Sequence, residues 1–585
     1  MKKQLLTIVS VLAGLLAAEA QTARVMAIHN SADPAVDTVD VWLTTPVVSL
    51  KIADNFGFRQ STGFIDAPAG IPIRLSFAGK NSTQITDTLI GFGYNLAANE
   101  KYVLLAEGHV GSGFTPQQPF NLAVIGSAVE NGTGGKVKVA VHHGSTDAPA
   151  VDLFARAPET VEQLSLLTNV GYGATAGYLE LDEQNALIDV HVAGDENPLL
   201  TYSAPLSTLN LGDSSLVIFA SGFLDPSINN NGKSFGLFAS TQTGRVVPLP
   251  LVDKARLMAI HNCADPAADS VDIWLINNTA NTATKIVTNF AFRKATGYVD
   301  IPGNAELALG VALPGSDDRS DIIYTEDIGV SYAGSTVVGI ATGVLDTSKF
   351  QPNPSVPDIS FFINGQSGKE KSATNNTVEI LAYHGVTDAP TVNIRPKGAS
   401  AGFEELSFGD FSGDEYASFP ATDVVLDVFP QGATSPLVSY NAPLSALAGQ
   451  AVVVFASGFL SPNAPTNKDV NGLPFGLFVA RATGEVIALS PATGLLNRSK
   501  DFGTAVTVYP NPAKEVVNIS FTNQSAQQVT VELFDLAGKA VYNKTIEGVA
   551  GLNNIAVPTQ EVGQGIYLVK IGGNSGSSFS KVIVE

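Results

Sequence analysis

A histidine followed four residues later by an aspartate is the feature of this sequence best suited to chemistry. The pattern occurs four times, with a proline within two residues of each aspartate: His29/Asp33, His143/Asp147, His261/Asp265 and His384/Asp388. Such a pair could belong to a catalytic triad or to a metal site. The position two residues after the histidine differs between the copies: Ser31, Ser145, Cys263 and Val386. Because no nucleophile is shared, we expect a structural turn, in which the aspartate accepts hydrogen bonds from turn amides and the proline directs the exit.

Metal binding is the alternative use of these side chains. Zinc sites need three or four His, Cys or carboxylate ligands, whereas His142-His143 is a local pair that the other copies lack. Calcium prefers several oxygen ligands on a tight loop, and the segments 225–232 and 467–472 are rich in Asp and Asn and end in glycine. Their spacing does not match a helix–loop–helix calcium loop. The sequence therefore predicts no cofactor, with calcium at these segments as the alternative.

The single cysteine, Cys263, stands where two of the other copies have serine and one has valine. A catalytic thiol would not be exchanged in this way, so we expect a buried and unreactive side chain. One cysteine also excludes an intrachain disulfide. The modules must therefore be stable through the packing of their cores alone.

The net charge and the N-terminal segment restrict the possible functions and the location of the protein. The formal net charge of -21 excludes the basic surface that nucleic-acid binding requires. The N-terminus combines Lys2 and Lys3 with an apolar run and a small-x-small sequence that ends at Ala20, which predicts a signal peptide cleaved before Gln21. No later segment has the length and apolarity of a transmembrane helix, so we expect an exported protein.

The elements that must position the histidines are predicted to be β-strands. Short apolar runs rich in Val, Ile and Phe are bounded by Gly, Asn, Asp and Pro, and runs such as 39–42 and 187–192 alternate in polarity. No long amphipathic helix pattern occurs. The spacing fits seven or eight strands per module, which predicts an all-β protein with four tandem antiparallel, immunoglobulin-like sandwiches and a small C-terminal sandwich.

Landmarks shared inside the modules predict that these are arranged in two pairs. Modules 1 and 3 share Phe-x-Phe-Arg, and modules 2 and 4 share Ala-Ser-Gly-Phe-Leu, which indicates the duplication of a two-module unit. The predicted divisions are a signal peptide (1–20), module 1 (21–130), module 2 (131–252), module 3 (253–372), module 4 (373–491), a linker (492–502) and a C-terminal domain (503–585).

The repeated module resembles the domain of unknown function 4397 family. The resemblance rests on the strand, the His, the Asp-Ala-Pro turn and the following Val-Asp strand, together with a later Tyr-Gly…Gly-Tyr segment. It extends roughly from Thr22 to Leu489 and is strongest in module 2. Modules 1 and 3 lack the alanine of Asp-Ala-Pro, and module 4 has Asn393 in place of the second aspartate. The family appears in exported microbial proteins and implies no particular activity.

The C-terminal domain resembles the sorting domain of the type IX secretion system. Its marks are Tyr509-Pro510-Asn511-Pro512, the turn formed by Asp535, Gly538 and Lys539, and the ending that contains Gly565 and Tyr567. The resemblance implies that the partners are the type IX machinery and a sortase that removes the domain. It also implies that the cargo is either anchored to surface lipopolysaccharide or released.

These observations predict a non-enzymatic protein, secreted or on the cell surface at the outer membrane exterior. Its modules would form a binding, adhesion or spacer array for an unknown glycan or protein ligand. One alternative is an exported hydrolase with an unrecognised site at the His-Asp turns, and another is a purely structural component of a surface layer. No partner is expected among nucleic acids.

Overall fold

The structure is a computed structural model that describes residues 21–461, 473–492, 507–523, 526–535, 540–573 and 576–585. Several features predicted above lie outside the described residues. They are the signal peptide with Ala20, the segment 467–472, almost all of the linker, and both Gly538 and Lys539.

Regular structure in the described ranges consists of β-strands and of 3-10 helices three or four residues long. Apolar and β-branched residues fill the strands, and Gly, Asn and Pro occupy the turns between them. The prediction of an all-β protein is confirmed. The 3-10 helices are Pro34–Val36, Ile85–Asp87, Pro226–Ile228, Pro266–Ala268, Arg319–Asp321, Thr347–Lys349, Leu444–Leu447 and Thr559–Glu561.

Modules 1 and 3 each consist of two four-stranded sheets. The strands of module 1 are β1 (Thr22–His29), β2 (Thr38–Thr44), β3 (Ser49–Gly57), β4 (Ser61–Pro68), β5 (Pro72–Gly79), β6 (Thr88–Asn95), β7 (Lys101–Glu107) and β8 (Asn121–Ile125). They form the sheets β4-β1-β7-β8 and β3-β2-β5-β6.

The second pair of modules repeats the strand pattern of the first. The strands of module 2 are β9 (Val137–His143), β10 (Val151–Arg156), β11 (Leu164–Val170), β12 (Thr175–Leu181), β13 (Asn185–Val192), β14 (Leu200–Pro205), β15 (Ser215–Ser221), β16 (Gly236–Thr241), β17 (Val246–Pro248) and β18 (Leu251–Val252). Those of module 3 are β19 (Lys254–His261), β20 (Ser270–Asn277), β21 (Thr282–Ala291), β22 (Lys294–Pro302), β23 (Ala305–Ala312), β24 (Ile322–Ser331), β25 (Thr336–Thr342) and β26 (Phe362–Ser367).

Modules 2 and 4 have five strands in each sheet. The strands of module 4 are β27 (Thr377–His384), β28 (Val392–Pro396), β29 (Phe403–Leu406), β30 (Ala417–Pro420), β31 (Val424–Pro430), β32 (Val438–Ala442), β33 (Ala451–Ser457), β34 (Gly476–Arg481), β35 (Val486–Ala488) and β36 (Ser490–Pro491). The sheets are β12-β9-β15-β16-β17 and β11-β10-β13-β14-β18 in module 2, and β30-β27-β33-β34-β35 and β29-β28-β31-β32-β36 in module 4.

One pair of strands in each module departs from the antiparallel pairing that the sequence predicts. The first strand of the module runs parallel to a later strand of the same sheet, in the pairs β1/β7, β9/β15, β19/β25 and β27/β33. Between these two strands the chain passes through the opposite sheet. That long excursion allows a return in the same direction, which a tight hairpin would not.

The modules pack in pairs, as predicted, through the sheets that begin with the histidine strands. In the first pair an apolar layer that contains Met26, Ile28, Leu105 and Phe219 lies between sheet β4-β1-β7-β8 and the β9 sheet of module 2. The second pair has a corresponding layer around Met258, Ile260 and Phe455. Because the central strands are covered on both faces, all seven residues of β15 are buried, and so are those of β33.

The C-terminal domain is a separate small sandwich. Its strands are β37 (Thr507–Tyr509), β38 (Val516–Asn523), β39 (Gln527–Phe534), β40 (Ala540–Gly548), β41 (Gly551–Pro558), β42 (Gly565–Gly573) and β43 (Gly576–Val584). They form the sheets β37-β38-β41 and β40-β39-β42-β43 around a core that includes Val517, Ile519, Val531 and Val569.

Candidate functional site

The histidine of each repeated turn lies at the end of the first strand of its module and is buried. His29 Nε2 is 2.8 Å from the carbonyl oxygen of Val36, and its Nδ1 accepts the backbone N–H of Ser31 at 3.4 Å. His261 makes the same two contacts with Ala268 at 2.7 Å and Cys263 at 3.4 Å. This geometry assigns a neutral ring with the proton on Nε2, so the imidazole spans the turn from inside.

The histidines of modules 2 and 4 do the same with the carbonyl of the turn proline. His143 Nε2 lies 3.0 Å from the oxygen of Pro149, and His384 Nε2 lies 3.2 Å from that of Pro390. His384 Nδ1 also accepts the N–H of Val386 at 3.3 Å. The Nδ1 atom of His143 is buried and has no hydrogen-bond partner in the described residues.

Burial sets the protonation of these rings. It lowers the pKa of His29 and of His261 to about 4, and it lowers the pKa of His143 and His384 as well. The charged imidazolium loses its hydration inside the fold, while one carbonyl acceptor restores only part of it. At neutral pH the rings are therefore uncharged, and they are only 0–3% exposed to solvent.

The aspartates of the turns accept hydrogen bonds from backbone amides of two chain segments. Asp33 Oδ1 accepts the N–H of Ala35 at 2.8 Å, and its Oδ2 accepts those of Val110 and Gly111 at 2.9 and 2.8 Å. Asp265 bonds Ala267 and Leu345 in the same way. The carboxylate thus caps the short helix of the turn and holds the loop that follows the parallel strand.

In modules 2 and 4 both carboxylate oxygens face that following loop. Asp147 accepts the N–H groups of Leu224 and Asp225, both at 2.9 Å, and Asp388 accepts those of Leu460 at 2.7 Å and Ser461 at 2.8 Å. Each of the four aspartates therefore has backbone donors as partners. In each module the histidine bonds a carbonyl of its own turn, whereas the aspartate bonds N–H groups of the loop that follows the parallel strand.

A second repeated acid, which the sequence places in the following strand, supports a bulge in the neighbouring strand. The bulge residue has a left-handed backbone in each module, with φ of 55° at Asn55, 53° at Asn169, 49° at Asn289 and 54° at Glu405. The N–H of this residue is accepted by Asp40, Asp152, Asp272 and Asn393, respectively, at 2.6–2.9 Å. One side-chain oxygen is enough for this bond, which is why asparagine serves at position 393.

One polar contact between modules 1 and 2, and a second within module 2, were not predicted from the sequence. His142 Nε2 lies 2.8 Å from Glu107 Oε2, with both side chains buried, and His142 Nδ1 lies 2.8 Å from Thr175 Oγ1. The only signal in the sequence was the second histidine of His142-His143. Its partner comes from another module, so no local pattern could identify it.

An arginine in each pair reaches the carbonyls of the neighbouring module. Arg59 donates to Ser221 Oγ at 3.0 Å and to the carbonyl of Ser234 at 2.7 Å, and its guanidinium lies 4.0 Å from the ring centre of Phe238. Arg293 makes the corresponding contacts in the second pair. Burial lowers the pKa of both arginines to about 10, so they remain cationic at neutral pH.

The segments considered for metal binding have other roles where they are described. Asp225 caps the helix Pro226–Ile228 and accepts the N–H of Ser227 at 2.9 Å, while the amide of Asn229 donates to Asp147 at 3.1 Å. Among the described residues, no group of three His, Cys, Asp or Glu side chains is placed to hold a metal ion. Cys263 is buried, and burial raises the pKa of its thiol to about 12.

The described part of the sorting motif connects the start of the C-terminal domain to its last strand. Asn511 accepts the N–H of Ile583 and donates to the carbonyl of Lys581, both at 2.9 Å, while Tyr509 is exposed. Tyr567 donates its hydroxyl to the carbonyl of Val562, near Gly565. Asp535 directly follows β39.

Gln21 is the first residue described. It is exposed and precedes β1, and its carbonyl accepts the N–H of Ala69 at 2.9 Å. Within the described ranges, no helix has the length and apolarity required to cross a membrane.

Comparison with solved structures finds only weak similarity. The Bacillus anthracis TIE protein is 10% identical, with 79% of this chain and 68% of that chain covered and a TM-score of 0.13. A leucine-rich repeat protein from Bacteroides thetaiotaomicron is 12% identical (35% and 25% covered, TM-score 0.13), and a Salmonella alpha-2-macroglobulin mutant is 9% identical (93% and 40% covered, TM-score 0.15). This chain spans less than half the length of the latter two. Similarities this weak assign no function, and no curated protein matches the chain.

Two family models match parts of the chain. Residues 23–154 match the domain of unknown function DUF4397, from β1 into β10, which is module 1 and the start of module 2. Residues 507–585 match the secretion system C-terminal sorting domain. Both resemblances predicted from the sequence are thereby confirmed for these residues. The chain combines a DUF4397 region with a type IX sorting domain, and it is exported to the cell surface or the extracellular space.

Proposed function

We propose that the exported protein is a non-catalytic array of paired β-sandwiches that binds a glycan or protein ligand or acts as a spacer at the cell surface. The observation that carries this proposal is the use of the repeated histidines and aspartates. Each histidine bonds a carbonyl of its own turn, and each aspartate bonds backbone amides. Buried neutral imidazoles with these partners are poor general bases, because a base must reach a substrate proton.

The binding role is tested with the purified exported protein on glycan and matrix-protein arrays. Saturable binding to one ligand class supports a binding array. A protein that binds nothing, yet forms ordered layers or filaments by electron microscopy, would instead be a structural surface component.

The enzyme alternative is tested at module 2, where the histidine has a buried nitrogen with no partner in the described part of the chain. His143→Ala should abolish a hydrolase activity while leaving thermal stability intact if the turn is an active site. We expect the opposite result: lower thermal stability, with no hydrolytic activity in the wild-type protein to lose. Hydrolysis by the wild type that His143→Ala abolishes at unchanged melting temperature would contradict the proposal.

Delivery is tested by mass spectrometry of the cell-surface and medium fractions. We propose that a sortase removes the C-terminal domain and that the cargo is then attached to surface lipopolysaccharide or released. Mature protein that ends before Thr507 is expected. Mature surface protein that retains Glu585 would show that the domain is not removed.

A further inference from the structure

Module 1 contains a cavity of about 430 Å³ between its two sheets. Ligand pockets in proteins typically have volumes of ~300–1,000 Å³, so this space is large enough for a small molecule. The interior spaces found in module 2 measure only about 10 and 30 Å³. A space of this size inside a sandwich is unusual, because protein interiors are packed with few voids larger than a water molecule.

Small side chains on two strands create the cavity. Ala53 in β3 and Ala67 in β4 line it, and the corresponding residues of module 3 are Val287 and Ile301. Ile301 is only 2% exposed and belongs to the core of module 3, so its side chain fills the space that Ala67 leaves open.

At two further lining positions, module 1 again has a smaller residue than module 3. Val25 and Val41 correspond to Leu257 and Ile273 in module 3. Module 1 has the larger residue at two other lining positions, where Phe77 and Leu104 correspond to Val311 and Gly339. The cavity therefore results from where the small residues lie and not from a smaller core.

The position of the two alanines determines where the cavity opens. β3 and β4 are the edge strands of the two sheets of module 1. Three lining residues on these strands, Ile52, Ala53 and Ala67, are half-buried, whereas Leu75 and Leu104 on inner strands are buried. The opening is thus at the side of the sandwich, next to the exposed residues Gln21 and Asp66.

The chemistry of the lining selects an apolar ligand. Of the polar residues that line the cavity, Gln21, Thr22 and Asp66 are exposed to solvent, and the hydroxyl of Thr62 already accepts the N–H of Ala27 at 3.0 Å and donates to the carbonyl of Gly63 at 2.7 Å. Asp66 at the rim pairs with Arg24 at 3.2 Å. A charged or hydrogen-bonding group placed inside would lose its hydration without gaining a partner, whereas a polar group at the rim stays hydrated.

We propose that module 1 binds the hydrocarbon chain of an amphiphile, such as an acyl chain, with the polar head at the rim beside Gln21, Thr22 and Asp66. This inference is independent of the array function proposed above, since it concerns a small-molecule site inside one module. It makes module 1 a lipid-chain binding module and leaves module 3, its sister in sequence, as a packed counterpart without this site.

The test uses the complete exported protein and cis-parinaric acid, a fluorescent fatty acid. We expect saturable binding with one site per chain. The variant Ala53→Val/Ala67→Ile, which copies module 3, should bind at least about tenfold more weakly, because the added side-chain atoms occupy the space of the ligand. Val299→Ile adds a methylene in module 3 and serves as the matched control with unchanged binding.

Hydrogen exchange on the wild-type protein gives a second measurement. It does not require that the Ala53→Val/Ala67→Ile variant folds. Bound ligand should slow amide exchange in peptides that cover β3 and β4, and leave β21 and β22 of module 3 unchanged. No saturable binding, equal binding by the filled variant with an unchanged melting temperature, or protection in module 3 alone would each overturn the proposal. If the double variant does not fold, Ala53→Val alone replaces it, and its affinity decides.

Discussion

At the scale of residues, the repeated His-Asp turn explains how a reactive-looking pattern serves a fold. A neutral imidazole can donate to a carbonyl with one nitrogen and accept an N–H with the other, and so it bridges two backbone groups of a tight turn. The carboxylate accepts one or two backbone N–H groups of the neighbouring loop and so holds that loop against the turn. The variable residue between them bonds the histidine through its backbone N–H and not through its side chain, which is why serine, cysteine and valine all occur there.

The first prediction concerns the stability of the protein against pH. The pKa of His29 and His261 is about 4 in the folded protein, whereas an unfolded histidine has a pKa of ~6.5. The unfolded chain therefore binds more protons between these values, and stability falls as the pH decreases from ~6.5 to about 4. Each histidine accounts for a loss on the order of 3 kcal/mol.

Calorimetry of wild type and of His29→Gln/His261→Gln from pH 4 to 7.5 checks this prediction. The double variant should be less stable at pH 7, by ~1–3 kcal/mol per turn, because a carbonyl and an amide lose their partner. Its stability should also change less with pH. Equal slopes for the two proteins would contradict the assignment of neutral buried rings.

The second prediction concerns Cys263, which is buried and whose pKa is raised to about 12. We expect no alkylation by iodoacetamide at pH 8 in the native protein and one label per chain in urea, since thiolate and access are both required. Cys263→Ser should be tolerated, because Ser31 and Ser145 at the corresponding positions donate to the carbonyls of Gly108 at 2.6 Å and Gly222 at 2.7 Å. Rapid labelling of the native protein would show that this turn opens.

At the scale of elements, the strands that end at the repeated histidines lie between two packed layers, so both of their faces are covered. β1 and β9 contribute one face to the core of their own sandwich and the other to the layer between modules. This accounts for the nearly continuous apolar runs before the histidines. It also places Glu107 and His142 together in a buried layer, where the second pair has Thr342 and Tyr383 at the corresponding positions.

The third prediction follows from this exchange of residues between the pairs. Glu107→Thr alone leaves His142 buried without its carboxylate partner and should lower the free energy of unfolding of the first pair by ~1–3 kcal/mol. Glu107→Thr/His142→Tyr reproduces the residues of the second pair and should recover part of this loss, because Thr342 and Tyr383 pack at this place without a buried carboxylate or imidazole. Urea denaturation of the two variants measures the coupling. A double variant less stable than the sum of the single changes would contradict it.

At the scale of the whole molecule, the two pairs are joined by a buried contact between modules 2 and 3. Arg156 Nε lies 2.6 Å from Asp189 Oδ2, and the same guanidinium donates to the carbonyl of Ala333 in module 3. The amide of Asn304 donates to Thr201 Oγ1 across the same junction at 3.0 Å. Beyond module 4 the chain leads into the sorting domain, which directs the whole assembly out of the cell.

The fourth prediction tests this junction. Arg156→Ala leaves Asp189 buried without its cation and removes the donor to Ala333, so we expect a loss of ~3–5 kcal/mol in module 2 and a more flexible join between the pairs. Lys397 follows β28 of module 4 as Arg156 ends β10 of module 2, and it is exposed, so Lys397→Ala is the matched control without effect. Calorimetry and small-angle X-ray scattering measure the two effects. An Arg156→Ala protein with wild-type stability and dimensions would rule out a joining role.

The sequence alone was sufficient for the features that depend on local patterns or on repetition. Alternating and apolar runs predicted strands, the repeated landmarks predicted paired modules, and the motif around Tyr509 to Pro512 predicted the sorting domain. These are properties of neighbouring residues, or of copies that can be compared along the chain. The repeated turn could also be located in this way, since it follows the same strand in each copy.

Only the tertiary structure decided the features that join residues distant in sequence. The parallel pairing of β1 with β7, the Glu107–His142 contact between modules and the cavity beside Ala53 and Ala67 are of this kind. The sequence shows an alanine in a strand, but it does not show whether a neighbouring side chain fills the space beside that alanine. The free energy of burial depends on what packs against a side chain, and that is set when the sheets come together.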